Sequence, residues 1–218
     1  MVSFPNESTE YRNARNALLE AELALRARVE AVAALRRQLP LGGAVREDYV
    51  FEQGDGAGGC RDVRLSDLFE EGKDSLFLYS FMYAQTPCPM CSALMDGLNG
   101  QLPHLQQNIS VAVVAKNECD VLDALAKEKG WTNVRFLSSL KTSFNQDYFG
   151  ETDGQQNGMA HVFTRREGVV HHFWSSEMHF AGSIDGGNPR HVDQLWPLWN
   201  VLDLTPDGRG QWFPSLTY

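Results

Sequence analysis

Residues 75–91 read SLFLYSFMYAQTPCPMC, and this stretch constrains the fold more than any other. Up to Tyr83 it is almost continuously apolar or aromatic. A half-exposed strand would alternate polar and apolar side chains, so this run predicts a strand buried on both faces in the middle of a parallel sheet. Gln85-Thr86-Pro87 ends it. Cys88 and Cys91 follow, separated by Pro89 and Met90. A buried strand that runs into C-x-x-C at the start of a helix is the layout of a dithiol redox site. At a helix N-terminus the macrodipole and the free backbone N–H groups favour a thiolate, which is the nucleophile of disulfide exchange. Pro89 suits the first helical position, where its missing N–H costs nothing. Cys88 is then the cap residue and the attacking thiol. Cys91 lies one turn on, on the same side, and can resolve a mixed disulfide.

The rest of the chain supplies elements around that strand. Residues 11–39 predict a long helix in which Leu18, Leu25, Val32 and Leu39 recur every seven positions. Its seam of about three heptads leaves two readings open: an arm packed on its own subunit, or a homodimerisation arm. Pro40-Leu41-Gly42-Gly43 stops the helix, which divides the chain into a helical arm, 1–43, and a main domain, 44–218. Residues 49–52 and 60–65 predict a hairpin across a glycine-rich turn, with Ser66 as the N-cap of a short helix at 67–71. After the cysteines the helix is expected to continue to Leu98, break at Asn99-Gly100 and resume after Pro103. Residues 109–115 predict a second buried strand, 118–130 an amphipathic helix ending at Gly130, and 134–137 a third strand. The polar segment 138–158 is long for a plain connection and is expected to be functional or mobile. Residues 160–165 and 169–174 form a hairpin around Arg166-Glu167-Gly168. A loop closed by Gly186-Gly187-Asn188-Pro189 leads to a last helix, 191–202, kinked or split by Pro197. The aromatic tail carrying Trp212, Phe213 and Tyr218 is expected to dock. Alternating strands and helices followed by a hairpin imply right-handed crossovers and an α/β fold: a central mixed sheet flanked by helices, which is the thioredoxin-like architecture with an N-terminal hairpin and a long N-terminal helix added.

Composition narrows the chemistry. The 218 residues carry a formal net charge of −9, which argues against nucleic acid or an anionic membrane as partners. No stretch reaches the roughly 20 apolar residues of a membrane span. No export signal is visible, so the expected location is cytoplasmic, with the four cysteines mostly reduced. Cys60 and Cys119 are then read as isolated, incidental thiols. A closed zinc site needs four ligands, and neither these two cysteines nor the adjacent His171 and His172, which face opposite ways on a strand, make a second ligand pair. No metal and no cofactor is expected. A peroxidase signature would need Pro and Thr where Phe81 and Gln85 precede Cys88, so it fails. What remains is a thiol–disulfide oxidoreductase acting on a thiol or disulfide, protein or small molecule. Its alternative is a non-catalytic thioredoxin fold that binds or scaffolds.

One departure bears on the opposite wall of the site. Thioredoxins carry a cis-proline there. The matching place here is Gly158-Met159-Ala160, and no proline occurs between Pro103 and Pro189. A cis bond without proline costs about 2.5–4 kcal/mol, so a trans bond is expected. Met159 is expected to line the site, with His172 and Trp174 as further substrate contacts and His179 near them. Asp147 and Tyr148 lie in a loop that could fold over the same sheet end.

Several motifs together resemble one known family: VRLSDLFE at 63–70, FMYAQTPCPMC at 81–91, FNQDYFGE at 144–151, HHFWSSE at 171–177, PRHVDQLWPLWN at 189–200 and LDLTPDGRG at 202–210. They are similar to a group of bacterial thioredoxin-like proteins that carry a domain of unknown function and are labelled predicted dithiol-disulfide oxidoreductases. The resemblance covers nearly the whole chain. It implies the thioredoxin-like fold, and it carries over Cys88 and Cys91 as the presumed active residues.

Overall fold

The structure is a computed structural model, and it describes residues 3–181, 192–208 and 210–217. The chain falls into two compact units, residues 1–40 and 41–218. The first contains one helix, α1 (Thr9–Arg37). Ser8 caps it by accepting the Tyr11 backbone N–H, and Arg36 and Arg37 sit at its C-terminal end, where positive charge suits the helix dipole. None of its residues is buried, and Leu18, Leu25, Val29 and Leu35 are exposed.

The second unit is built on a seven-stranded sheet. A hairpin of β1 (Val50–Gly54) and β2 (Cys60–Arg64) comes first. Then follow β3 (Ser75–Phe81), α2 (Pro89–Leu105), β4 (Ser110–Ala115), α3 (Cys119–Lys129) and β5 (Phe136–Ser138). The segment to residue 158 holds a single turn, α4 (Phe144–Asp147), and a small hairpin of β6 (Glu151–Thr152) and β7 (Gln155–Gln156). The hairpin β8 (Met159–Arg166) and β9 (Val169–Ser175) closes the sheet, and α5 (Leu198–Leu202) lies near the end. The strand order is β2-β1-β5-β4-β3-β8-β9. β3, β4 and β5 run parallel, while β8 is antiparallel to β3 and β9 to β8.

The continuous apolar run is an interior strand buried on both faces, as expected, but only one of its neighbours, β4, is parallel; the other, β8, is antiparallel. β3 lies between β4 and β8, and six of its seven residues are buried. Its two faces feed two cores. Phe77, Tyr79 and Phe81 join Leu94, Met95 and Leu98 of α2 with Trp131, Phe136 and Trp199. Leu76 and Leu78 join Tyr49, Phe51, Phe144 and Phe163 on the other face. Full burial of each such Leu or Phe stabilises by about 1.5–3 kcal/mol, so both faces are committed and the strand cannot slip by one residue.

Two turns show why these elements end where they do. Gly130 has φ 68° and caps α3 with a left-handed residue that donates to Lys127 O. Glu167 and Gly168, with φ 51° and 81°, are both left-handed, the turn whose twist matches a two-residue hairpin.

Four sequence expectations need correction. Ser66 does not cap a helix. Residues Leu65–Leu68 form a 3-10 turn, and the Ser66 hydroxyl donates to Asp48 Oδ2 at 2.7 Å. α2 does not break at Asn99-Gly100. Pro103 sits inside it and takes a hydrogen-bond donor away from the Asn99 carbonyl four residues back, but Asn133 Nδ2 donates to that oxygen at 3.1 Å, and the Asn133 backbone N–H donates to Asn99 Oδ1 at 3.0 Å. A helix passes through proline when the orphaned carbonyl is satisfied from outside. The last helix is only the five residues of α5, because Pro197 caps it rather than kinking a longer one. His191 and the expected Gly186–Pro189 closure lie outside the described residues. Cys60 and Cys119 are not isolated: their sulfurs are joined in a disulfide, with the Cα atoms 6.3 Å apart. Their 59-residue separation in sequence hides a pairing that the β1–β2 hairpin creates by placing the start of β2 beside the start of α3.

Candidate functional site

β3 delivers the chain to the sheet end, and a tight turn re-aims it. Tyr83 bridges to Pro87, and the Cys88 N–H donates to Met82 O at 3.0 Å. Cys88 is the N-cap of α2 in extended conformation, Pro89 opens the helix, and Ser92 N–H donates to Cys88 O at 2.9 Å as the first helical bond. Cys88 is partly exposed, and Cys91, one turn in, is 2% exposed.

The two thiols have different acidities. The Cys91 thiol, followed by the backbone N–H groups of Cys91 and Met90, pulls the Cys88 thiol from its ordinary 9.0 down to about 6, against the opposing effect of burial. The Cys88 side chain, burial and the Cys88 charge push Cys91 well up. Tyr79 on β3 donates its hydroxyl to Cys91 Sγ at 3.3 Å, and its own ionisation is driven well upward, by burial first and then by the neighbouring sulfurs. Tyr79 therefore stays a donor across the useful pH range. Sequence reading passed over it as one more core aromatic. The available signal was its face: it shares the α2 side of β3 with Phe77 and Phe81.

The opposite wall is Gly158. A Cβ added there would lie 3.4 Å from Cys91 Sγ and 3.1 Å from Tyr79 Oη. Among the described residues no peptide bond is cis, so this wall is an ordinary trans backbone without a side chain.

The expected substrate contacts separate. Met159 is buried at the start of β8, paired with Ser80. With His172, Tyr148, Phe149, Ser175 and Phe180 it lines a cavity of about 750 Å³, and neither Cys88 nor Cys91 is part of that lining. Trp174 belongs instead to the core on the α2 side of the sheet. His179 stacks edge-on against Phe180 at 4.8 Å. The 144–149 segment does not cover the dithiol: Phe144 and Tyr148 pack against Tyr49 and Phe163, and Asp147 accepts from Tyr49 Oη at 2.9 Å and Ser143 Oγ at 2.7 Å.

The cavity wall holds a polar chain that sequence reading missed. Ser175 Oγ lies 2.8 Å from His161 Nδ1 and 2.7 Å from His172 Nε2, and Ser80 Oγ lies 3.4 Å from His161 Nε2. Burial drives His161 down to about 3 and lowers His172, so His161 is a neutral histidine that satisfies buried hydroxyls. Among the described residues no group of three or more His, Cys, Asp or Glu side chains is placed to hold a metal ion, and no helix is long and apolar enough to cross a membrane.

A β3–α2–β4 crossover beside an antiparallel β8–β9 hairpin, with C-x-x-C opening the crossover helix, defines a thioredoxin-like fold. The chain belongs to DUF899, a family of bacterial proteins of unknown function whose model matches residues 1–217. Comparison with curated proteins finds no match. Solved structures similar to it include reduced Prx3 from Vibrio vulnificus in complex with hydrogen peroxide, at 16% identity over 63% of this chain and 84% of that one, with a TM-score of 0.46. AhpC of Enterococcus faecalis shares 14% identity over 80% and 98% of the two chains, with a TM-score of 0.49. The Plasmodium falciparum antioxidant protein, a 1-Cys peroxiredoxin, shares 15% over 61% and 81%, with a TM-score of 0.47.

Proposed function

We propose that the protein is a thiol–disulfide oxidoreductase in which Cys88 attacks and Cys91 resolves. The observation that carries this reading is the asymmetry of the pair: a partly exposed cap thiol held down to about 6 beside a buried thiol held up. The Cys88 thiolate attacks one sulfur of a substrate disulfide. A mixed disulfide forms, the substrate S–S bond breaks, and its electron pair leaves on the other substrate sulfur, which takes up a proton. Cys88 then no longer carries the charge or the hydrogen bond that held Cys91 protonated. What stays at Cys91 is the Tyr79 hydroxyl and the Met82 backbone N–H, both of which favour a thiolate. Cys91 loses its proton to solvent and attacks Cys88 Sγ. The second substrate thiolate departs, and a Cys88–Cys91 disulfide remains. The substrate gains two electrons and the dithiol loses two.

Gly158 offers substrate a bare backbone edge beside Cys91 in place of a proline. The substrate class is a thiol or disulfide, on a protein or a small molecule. The test is the redox equilibrium of Cys88–Cys91 against glutathione, with reduction of insulin disulfides as the activity readout. Turnover abolished by Cys88→Ser supports the reading. A pair that never forms a disulfide, or a Cys88 that ionises like free cysteine, sinks it and leaves a thioredoxin fold that binds without turnover.

A further inference from the structure

We infer that Cys60–Cys119 is a second exchange-active site, a disulfide that opens and closes in the native fold with low-molecular-weight thiols and disulfides as its reactants. Three observations carry this. The bridge is one-sided: Cys60 begins the edge strand β2 and is exposed, whereas Cys119 is 2% exposed. An incoming thiolate therefore meets Cys60. The leaving sulfur is well placed: Cys119 is the first residue of the eleven-residue helix α3, where the free N–H groups and the dipole stabilise a departing thiolate. Glu118 and Asp120 flank it in sequence, but both are exposed and screened by water. The third observation concerns what holds the cysteines once the bond is open. Cys60 is paired with Gly54 in the β1–β2 ladder, and Asp123, one turn into α3, lies directly against the Gly54 backbone. The turn between is fixed by Asp55, whose carboxylate accepts the Ala57 and Gly59 N–H groups at 2.7 and 2.9 Å. The cysteines thus remain neighbours without the covalent bond, and the bridge re-forms in place.

The balance is that of ordinary exchange. A small thiolate attacks Cys60 Sγ. The Cys60–Cys119 bond breaks, its electron pair goes to Cys119 Sγ, and Cys60 carries a mixed disulfide. A second small thiolate attacks the small-molecule sulfur of that mixed disulfide and releases the Cys60 thiolate. Two thiols become one disulfide, and the bridge takes two electrons. The small disulfide reverses every step.

The test uses the full chain, in wild type and in a Cys88→Ser/Cys91→Ser background, in native glutathione buffers of graded ratio. After acid quench and alkylation, peptide mass spectrometry reads each cysteine separately. The expected result is a bridge that opens and recloses with the ratio in both proteins while the circular dichroism stays native. Glutathione should be trapped on Cys60 in Cys119→Ser and be at least about tenfold scarcer on Cys119 in Cys60→Ser. A bridge that opens only in denaturant, thiols that stay unpaired at every ratio, or glutathione carried by Cys119 would each overturn the inference. The background without the C-x-x-C makes the outcome independent of the function proposed above.

Discussion

Replacing Cys91 by alanine isolates what holds the Cys88 thiolate. The Cys91 thiol is the largest influence lowering Cys88, and the backbone N–H groups that follow it survive the substitution. A hydrogen bond to a charged group contributes about 1.5–3 kcal/mol, and one pKa unit is about 1.4 kcal/mol, so removing it is worth about 1–2 units. Cys88 is partly exposed, and water screening places the shift at the lower end of that range. The Cys88 midpoint should therefore move from about 6 to about 7 in Cys91→Ala. Cys91→Ser keeps an O–H donor and should stay nearer to wild type. The assay is the pH dependence of Cys88 alkylation by iodoacetamide, followed by mass and checked by thiolate absorbance. A Cys91→Ala midpoint unchanged from wild type would refute the neighbouring thiol as the cause, and a wild-type midpoint at 9 would refute the whole electrostatic picture. The same shift sets a stability profile. The folded thiol ionises below its unfolded value of 9.0, so the folded reduced state holds fewer protons between about 6 and 9. Its stabilisation is complete above pH 9 and is lost as pH falls through about 6. Cys91, shifted upward, acts in the opposite sense, and its contribution falls away as pH rises above 9.

Three further outcomes follow from the geometry. Gly158→Val places branched carbons against Tyr79 and Cys91, and should lower stability by about 1–3 kcal/mol in thermal melts while slowing insulin reduction; unchanged turnover would remove Gly158 from the wall. His161, neutral in the fold and driven down to about 3 by burial, contributes stability that is present above 6.5 and lost as pH falls towards 3. His161→Gln should flatten the acid slope of urea midpoints in that window. Cys60→Ser/Cys119→Ser removes a bridge spanning 59 residues and should cost the oxidised protein about 2–4 kcal/mol in denaturant unfolding, with no loss for the reduced protein.

The sequence carried the fold because its strongest signal, an apolar run ending in C-x-x-C, lies at the centre of the sheet where both faces are buried. Local chemistry also carried the ends of elements: Gly130 after α3, the Glu167-Gly168 turn and Pro89 at the start of α2. What escaped were features set by partners far along the chain. Asn99-Gly100 reads as a break in α2 until Asn133 is seen bonded to both the Asn99 carbonyl and its side chain. Met159, His172 and Trp174 read as neighbours because the pleat keeps residues two apart, such as His172 and Trp174, on one face, but a bulge between them breaks the alternation and turns Trp174 to the other face. The bulge at Val162/Phe163, where Phe173 is skipped in the β8–β9 register, is invisible to any count along the strand. The Cys60–Cys119 pairing depends on a hairpin reaching across to a helix, which no spacing rule encodes.

That bridge also makes a ring of the chain between its two cysteines, and the ring contains β3, both thiols of the C-x-x-C, α2 and β4. A single protease cut anywhere between residues 61 and 118 therefore leaves one covalent molecule while the bridge is closed and two fragments once it is open. The part of the protein that carries the C-x-x-C cannot be separated from the rest by one backbone break under oxidising conditions.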